Sequence, residues 1–442
     1  MSTEASSLDF NSSSPSKCGS DEVESTNTLQ GSSVRPLNSA TAPDFKILNM
    51  ILKPPEPIKK MTTLASFIKP ADSYPNRHIR MEPETVLSAV GFQNDFYSNM
   101  LAWSSTNYLA LGVFNSELLR TLVYVWDANM GVIHSLVKGG FESRARSLAW
   151  SLDGLYLSVG LENGTCQIWD VETFEILRTL KFPSSSPIPA LSWAPELFVT
   201  GNSDGNIYKH DLREKNHIVG EFESHANGIC NLQWRFEGDY LASGGNDDTF
   251  KVFDYRVNKP CFKKTIHLSA VKALAWCPWN SHLATGGGKV DKKIHIWNVK
   301  DGSRVSSGNA YASVLSLLWA PFHKELVSTH GSPKNSFTIW EVPETSGLLH
   351  DPKQGSSTSR VPSDLKEVIN VPAHDSRVLE SAISPDGLTY CTVASDGCLK
   401  FWSPFSGAPS RPAAPLSSSN PPPPSDPRKP FSVLNVSNVK AD

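Results

Sequence analysis

The chain has 442 residues, 39% hydrophobic and 19% charged, with a formal net charge of −3; this suits one large core or an array of small ones, and such near-neutrality gives no reason to expect nucleic acid as a partner. Seven cysteines, odd in number and scattered from Cys18 to Cys398 without a CxxC pair, argue against a disulfide framework and against a structural metal, and suit reduced thiols in the nucleus and cytoplasm. No apolar run approaches the roughly 18 residues of a membrane span, and the start of the chain lacks the basic-then-apolar order of a signal peptide, so no membrane association is expected.

Residues 1 to about 44 are rich in Ser, Thr and Asn and have little to bury. All of 1–74 therefore reads as a largely disordered tail with short docking-type segments. A strand-like stretch, His78 to Leu87, comes next. From there to about residue 405 a fixed period governs the chain. Strand ends of the type Val125-Trp126-Asp127 and Ile168-Trp169-Asp170 recur at His210, Phe253, Trp297 and Trp340, spaced by 41 to 44 residues, and once more at Trp402, 62 residues on. In phase with them run Leu101-Ala102-Trp103, Leu148-Ala149-Trp150, Leu191-Ser192-Trp193, Leu232-Gln233-Trp234, Leu274-Ala275-Trp276 and Leu317-Leu318-Trp319. A third series, such as Leu109 to Gly112 and Leu241 to Gly244, lies between them.

Self-similarity at roughly 40–45 residues with several short strands per unit is the pattern of a β-propeller. The expected fold is thus all-β: a seven-bladed WD-repeat propeller over 75–405, flanked by disordered tails. The long last interval is assigned to a surface insertion at about 344–366, where Gly347, Gly355 and serines cluster. The last repeat stops at Trp402 without an obvious fourth strand, so the stretch ending at Leu87 is expected to complete the last blade and close the ring. Residues 406–442, with Pro421 to Pro424 among serines, read as an extended tail. Gly286-Gly287-Gly288 lacks the Lys-Ser/Thr ending of a phosphate loop and reads as a tight turn.

His225, His267 and His374 each precede a Ser or Thr on a later strand (Ser243, Thr285, Thr392) and then Phe253, Trp297 or Trp402. Recurrence in several blades favours a buried His–Ser/Thr–Trp hydrogen-bond chain, completed by turn acids such as Asp247 and Asp396, over a hydrolase triad. No HExxH, phosphate loop or nucleophile elbow is present. The chain is therefore read as a binding platform, neither an enzyme nor a cofactor binder.

Several strings are more specific than a generic repeat: Ala270 to Trp279, Leu241 to Asp247, Lys324 to Gly331, Ser376-Arg377-Val378-Leu379 and Asn94-Asp95-Phe96-Tyr97. In these the chain resembles the Fizzy family, activators of the anaphase-promoting complex, over about residues 75 to 403. The resemblance implies an adaptor that captures KEN-box and destruction-box degrons and presents them to that ubiquitin ligase. Ligase subunits, degron-bearing substrates and checkpoint inhibitors would be its partners. The family's KEN-box pocket maps onto Asp95, Asn246, Asp248, Lys289, Ser313 and Arg377. An anion for the Lys, a cation for the Glu and an amide for the Asn of the motif suit that chemistry. Asp95, Asn246 and Arg377 keep the family's usual type; Asp248 replaces an Asn, Lys289 a small polar residue and Ser313 a Gln. The destruction-box site maps onto Leu87 and Ser88, with Ser88 replacing an Asp. Two ligase-docking signals are not found: no Asp-Arg-Phe/Tyr-Ile-Pro string occurs in the N-terminal tail, and the chain ends Lys440-Ala441-Asp442 instead of Ile-Arg. A propeller scaffold or decoy that binds short motifs without docking on the ligase therefore stands as the alternative.

Overall fold

The computed structural model describes residues 79–136, 140–195, 197–343 and 363–405. The tails at 1–74 and 406–442, and most of the insertion, lie outside the described residues. Seven antiparallel sheets form a ring of blades. Blade 1 begins at strand Leu101–Trp103, blade 2 at Ala145–Trp150, blade 3 at Ala190–Trp193 and blade 4 at Ile229–Trp234. Blades 5, 6 and 7 begin at Val271–Trp276, Val314–Trp319 and Val378–Ile383. Among the described residues there is no helix.

Burial peaks at the second strand of each blade and falls toward the outer strand, and the sequence pattern follows it. The second strand of each blade is covered on both faces by its neighbours and reads as a continuous apolar run; Tyr240–Gly245 and His282–Gly287 are buried along almost their whole length. The outer strands face water on one side and alternate, as in Ile218–Phe222. Small residues near the end of the second strand let the next blade approach. A Cβ on Gly244 would lie 2.2 Å from the carbonyl oxygen of Val271, and one on Gly286 would lie 2.5 Å from Val314. Gly286 and Gly287 are therefore strand residues held small by close packing. The tight turn expected over all three glycines is corrected: it opens only at Gly288, whose carbonyl accepts the N–H of Lys292 at 3.1 Å.

Several tryptophans of the Leu-x-Trp series tie blade to blade, whereas Trp103 bonds Asn107 of its own blade at 3.0 Å. Trp150, Trp276 and Trp319 donate their indole N–H to the carbonyls of Ala102, Gln233 and Ala275 on the preceding blades' inner strands, at 3.0, 2.8 and 3.0 Å. The other tryptophan series sits inside the blades. Trp297 and Trp402 donate to Thr285 and Thr392 at 3.0 and 2.9 Å. Those hydroxyls bond His267 and His374 at 2.8 and 2.9 Å. His267 and His374 in turn bond Asp291 and Asp396. In blade 4, His225 joins Ser243 at 2.7 Å and Asp247 at 2.9 Å, while Phe253 replaces the indole. The buried polar chains read from the sequence are present, with Asp291 as the acid that the sequence reading did not name.

The ring is closed by its two ends. Strand Thr85–Ser88 pairs antiparallel with Cys398–Trp402 and becomes the fourth strand of blade 7. The closing strand is shorter than the His78 to Leu87 stretch, and its pairing continues only to Glu84 and Ala89 through backbone bonds of 2.8 and 2.7 Å. The insertion also differs from expectation at its C-terminal end. Ser363–Asp364 pairs in parallel with Arg304–Asn309, adding a fifth strand to blade 5, and Lys366–Pro372 is the outer strand of blade 6.

Candidate binding rim

The loops that enter each blade's first strand and the turns between its second and third strands open on one rim, and the segment Asn94 to Leu101 crosses the channel mouth there. Its reach follows from its hydrogen bonds. Arg377, entering blade 7, donates from Nε to the side chain of Asn94 and from Nη2 to the Asn94 carbonyl at 2.7 Å. Asp95 is ion-paired with Arg146 of blade 2 at 2.7 Å and caps the backbone N–H of Tyr97 at 2.9 Å. The Tyr97 hydroxyl donates to Asn246 of blade 4 at 3.0 Å. Asn99 donates to the carbonyls of Pro189 and Cys230 at 2.8 and 3.0 Å. Through these bonds one short segment reaches blades 2, 3, 4 and 7.

Below it lies a buried ion pair. Lys272 of blade 5 and Glu380 of blade 7 face each other at 3.7 Å, with side chains only 2% and 7% exposed. Lys272 donates to the carbonyl of Ser98 at 2.8 Å. Glu380 accepts the N–H groups of Met100 and Leu101 at 2.8 and 2.7 Å. Burial lowers the Lys272 pKa and raises that of Glu380, so mutual attraction and these backbone bonds must offset the desolvation. Both residues line a channel cavity of about 180 Å³ together with Asn99 and Asn231.

The site expected from the sequence is assembled only in part as a set of free groups. Asp95, Asn246 and Arg377 are joined through Asn94 and Tyr97. Asp248 sits beside Asn246 in the left-handed region, at φ 60°. Burial, followed by charges that include Asp95 and Asp248, holds the Tyr97 phenol above its ordinary range. Ser313 belongs to the same neighbourhood: a Cβ on Gly331 would lie 2.4 Å from its hydroxyl and 3.7 Å from the Arg377 Cβ. Lys289 stands exposed on the turn of blade 5. The sequence reading missed Arg146, Lys272 and Glu380, and it quoted Asn94 and Tyr97 without giving them a role. Leu87 and Ser88 form a separate place on the closing strand, opposite Leu399 and Cys398. Leu87 packs on the core shared by blades 7, 1 and 2.

One grouping among the described residues has metal-ligand composition: His267, Asp291 and His295, whose ligand atoms lie within 4.8 Å of one another. His267 and Asp291 are spent on each other and on Thr285. Burial pushes His295 down to about 3. The chemistry is that of a blade-stabilising network.

The rim of the closed propeller thus combines a guanidinium, carboxylates and amides around a narrow mouth. The chain belongs to the family described as "CDC20/Fizzy WD40 domain", which matches residues 87–402. It is 39% identical over 341 residues to the WD repeat-containing protein slp1 of Schizosaccharomyces pombe, covering 77% of this chain and 64% of that protein. It is 40% identical over 330 residues to the APC/C activator protein CDC20 of Saccharomyces cerevisiae, covering 74% of this chain and 51% of that protein. A chain of the crystal structure of the mitotic checkpoint complex is 41% identical with a TM-score of 0.67, over 75% of this chain and 95% of the other. The matched region thus spans between half and two thirds of those two yeast relatives.

Proposed function

We propose that this protein is a substrate-recognition adaptor of the anaphase-promoting complex, acting in the nucleus and cytoplasm without catalytic chemistry of its own. KEN-type degrons bind on the rim at Asp95, Asn246, Asp248 and Arg377, and destruction-box degrons bind more weakly at Leu87 and Ser88. Bound proteins are brought to the ligase for ubiquitination, and checkpoint inhibitors compete for the same rim. The observation that carries this reading is the loop Asn94–Tyr97, which links Arg377 to Asn246 across the channel mouth. A cation, carboxylates and an amide thereby share one small surface, matching the charges of a Lys-Glu-Asn segment.

The test is a titration of a KEN peptide against wild type, Arg377→Ala and Asn94→Ala, with thermal melts of the same samples. Arg377→Ala is expected to weaken binding by about 2 kcal/mol, roughly thirtyfold in Kd, the lower end for a charge pair on a wet rim. Asn94→Ala loosens the loop but leaves the guanidinium, so its effect on binding is smaller. Wild-type affinity in Arg377→Ala would remove this rim as the receptor. Co-purification with ligase subunits separates the adaptor from a scaffold or decoy that binds motifs alone, the second reading favoured by the missing Asp-Arg-Phe/Tyr-Ile-Pro string.

A further inference from the structure

Between the motif-matching residues Lys289 and Arg377 the rim carries an arc of cations. The turn of blade 5 carries Lys289 and Lys292, both exposed. The Lys292 carbonyl accepts the N–H of Ala310 at 2.8 Å, which joins that turn to the entry loop of blade 6. On that loop Tyr311 is 65% exposed and stands under Lys334, whose Nζ is 5.3 Å from its ring centroid. Lys334 belongs to the turn that starts at Gly331, and Gly331 abuts Ser313 and Arg377. The path from blade 5 to blade 7 is therefore continuous: Lys289, Lys292, Lys334, Arg377.

None of the three lysines has an ion-pair partner among the described residues. The acids nearest along the chain are Asp291, next to Lys292 but buried inside blade 5, and Asp375, two residues before Arg377. Val290, 68% exposed, and Tyr311 give the arc an apolar floor between its charges. Both Lys292 and Tyr311 lie in the left-handed region, at φ 53° and 60°, and the N–H of Tyr311 is held by the Asn309 side chain at 2.9 Å. Asp95, beside Asn94 on the crossing segment, is already paired with Arg146, and Asp248 stands on the turn of blade 4. Like charges massed on one arc raise the local potential and select partners of the other sign.

We propose that this arc is a second subsite of the rim, one that binds acidic residues flanking the recognised motif and so selects KEN-type segments embedded in Asp- and Glu-rich sequence. The inference rests on the reading of the rim as a peptide receptor. Each exposed ion pair contributes little, but several lysines acting together are expected to favour an acid-flanked peptide by about three- to tenfold at low salt. At about 0.5 M salt the gap should close, because the contacts are open to counter-ions.

The experiment compares three synthetic KEN peptides, with Glu-rich, Ser/Gly-rich and Lys-rich flanks, against wild type and the double variant Lys292→Glu/Lys334→Glu. Lys289, which matches the motif pocket, is left unchanged. Expected in wild type is the order Glu-rich, then neutral, then Lys-rich. In the double variant the order inverts while the neutral peptide binds as before, and melting temperature confirms the fold. Equal affinities for all three flanks in wild type, or an order that survives the charge reversal, overturns the subsite while leaving the motif pocket standing. Failure of every peptide to bind wild type overturns both.

Discussion

Replacing Glu380 by Gln tests whether the buried ion pair holds the segment that forms the rim. The carboxylate receives two backbone N–H groups and faces the Lys272 ammonium, and almost no solvent reaches either side chain. An amide offers one oxygen for two donors, and its own N–H₂ meets either an N–H or an ammonium. Leaving Lys272 unpaired in a dry site costs about 3–5 kcal/mol, a large share of the roughly 5–15 kcal/mol that stabilises a typical domain. Lys272→Met in the Glu380→Gln background removes the stranded charge. It should recover most of that loss, leaving about 1–3 kcal/mol for the imperfectly bonded N–H groups. Urea unfolding of wild type, both single variants and the double variant gives the coupling energy, expected at about 2 kcal/mol or more. KEN-peptide affinity should fall with the Gln variant, because Asn94 to Tyr97 hang from the segment that Glu380 pins. The reasoning is refuted if Glu380→Gln unfolds within about 0.5 kcal/mol of wild type and the cycle shows no coupling.

Acid should destabilise the propeller well above the carboxylate range. His295 and His330 are buried and held down to about 3, whereas an unfolded histidine titrates near 6.5, so unfolding takes up protons in that window. Stability present above about pH 6.5 is lost as pH falls toward 3, by up to about 2 kcal/mol per group at pH 5; equal unfolding midpoints at pH 7.5 and 5 would count against it. Deleting residues 79–89 removes the closing strand and bares the edge of Cys398–Trp402, so the product should aggregate or melt markedly lower. A soluble protein with unchanged melting would contradict ring closure. Ser88→Asp supplies an acid on the closing strand and should tighten an Arg-containing destruction-box peptide by about 1–3 kcal/mol at low salt. Unchanged affinity in a calorimetric titration would remove Leu87 and Ser88 from the site.

The architecture was legible because a blade repeats the same physical problem at each turn of the ring. Trp150, Trp276 and Trp319 of the Leu-x-Trp series mark where an indole reaches the preceding blade, and Trp297, Trp340 and Trp402 of the later series mark where a Thr or Ser is capped. The rim was legible only at the positions that the family resemblance marks. Arg146, Lys272 and Glu380 lie on inner strands of three different blades, and in the sequence each looks like one charge in an apolar run. Their roles exist only once the ring brings residues from distant blades to a common axis. The short strand Ser363–Asp364 escaped notice for a related reason. Two residues carry no period, and their partner strand belongs to an earlier blade.

The pairing of Thr85–Ser88 with Cys398–Trp402 also bears on how the protein reaches its fold. These partners are roughly three hundred residues apart in sequence, so the contact that locks the ring is among the most non-local the chain can make. During synthesis the earlier blades can stack as they emerge, but the closing strand has no partner until the last repeat has been made. Until then it is an exposed strand seeking an edge, on the same molecule or on another. Once the ring shuts, opening it must break the closing ladder and its packing together, a step that should slow unfolding far more than it speeds folding. The clasp gives the molecule a vulnerable birth and a long life.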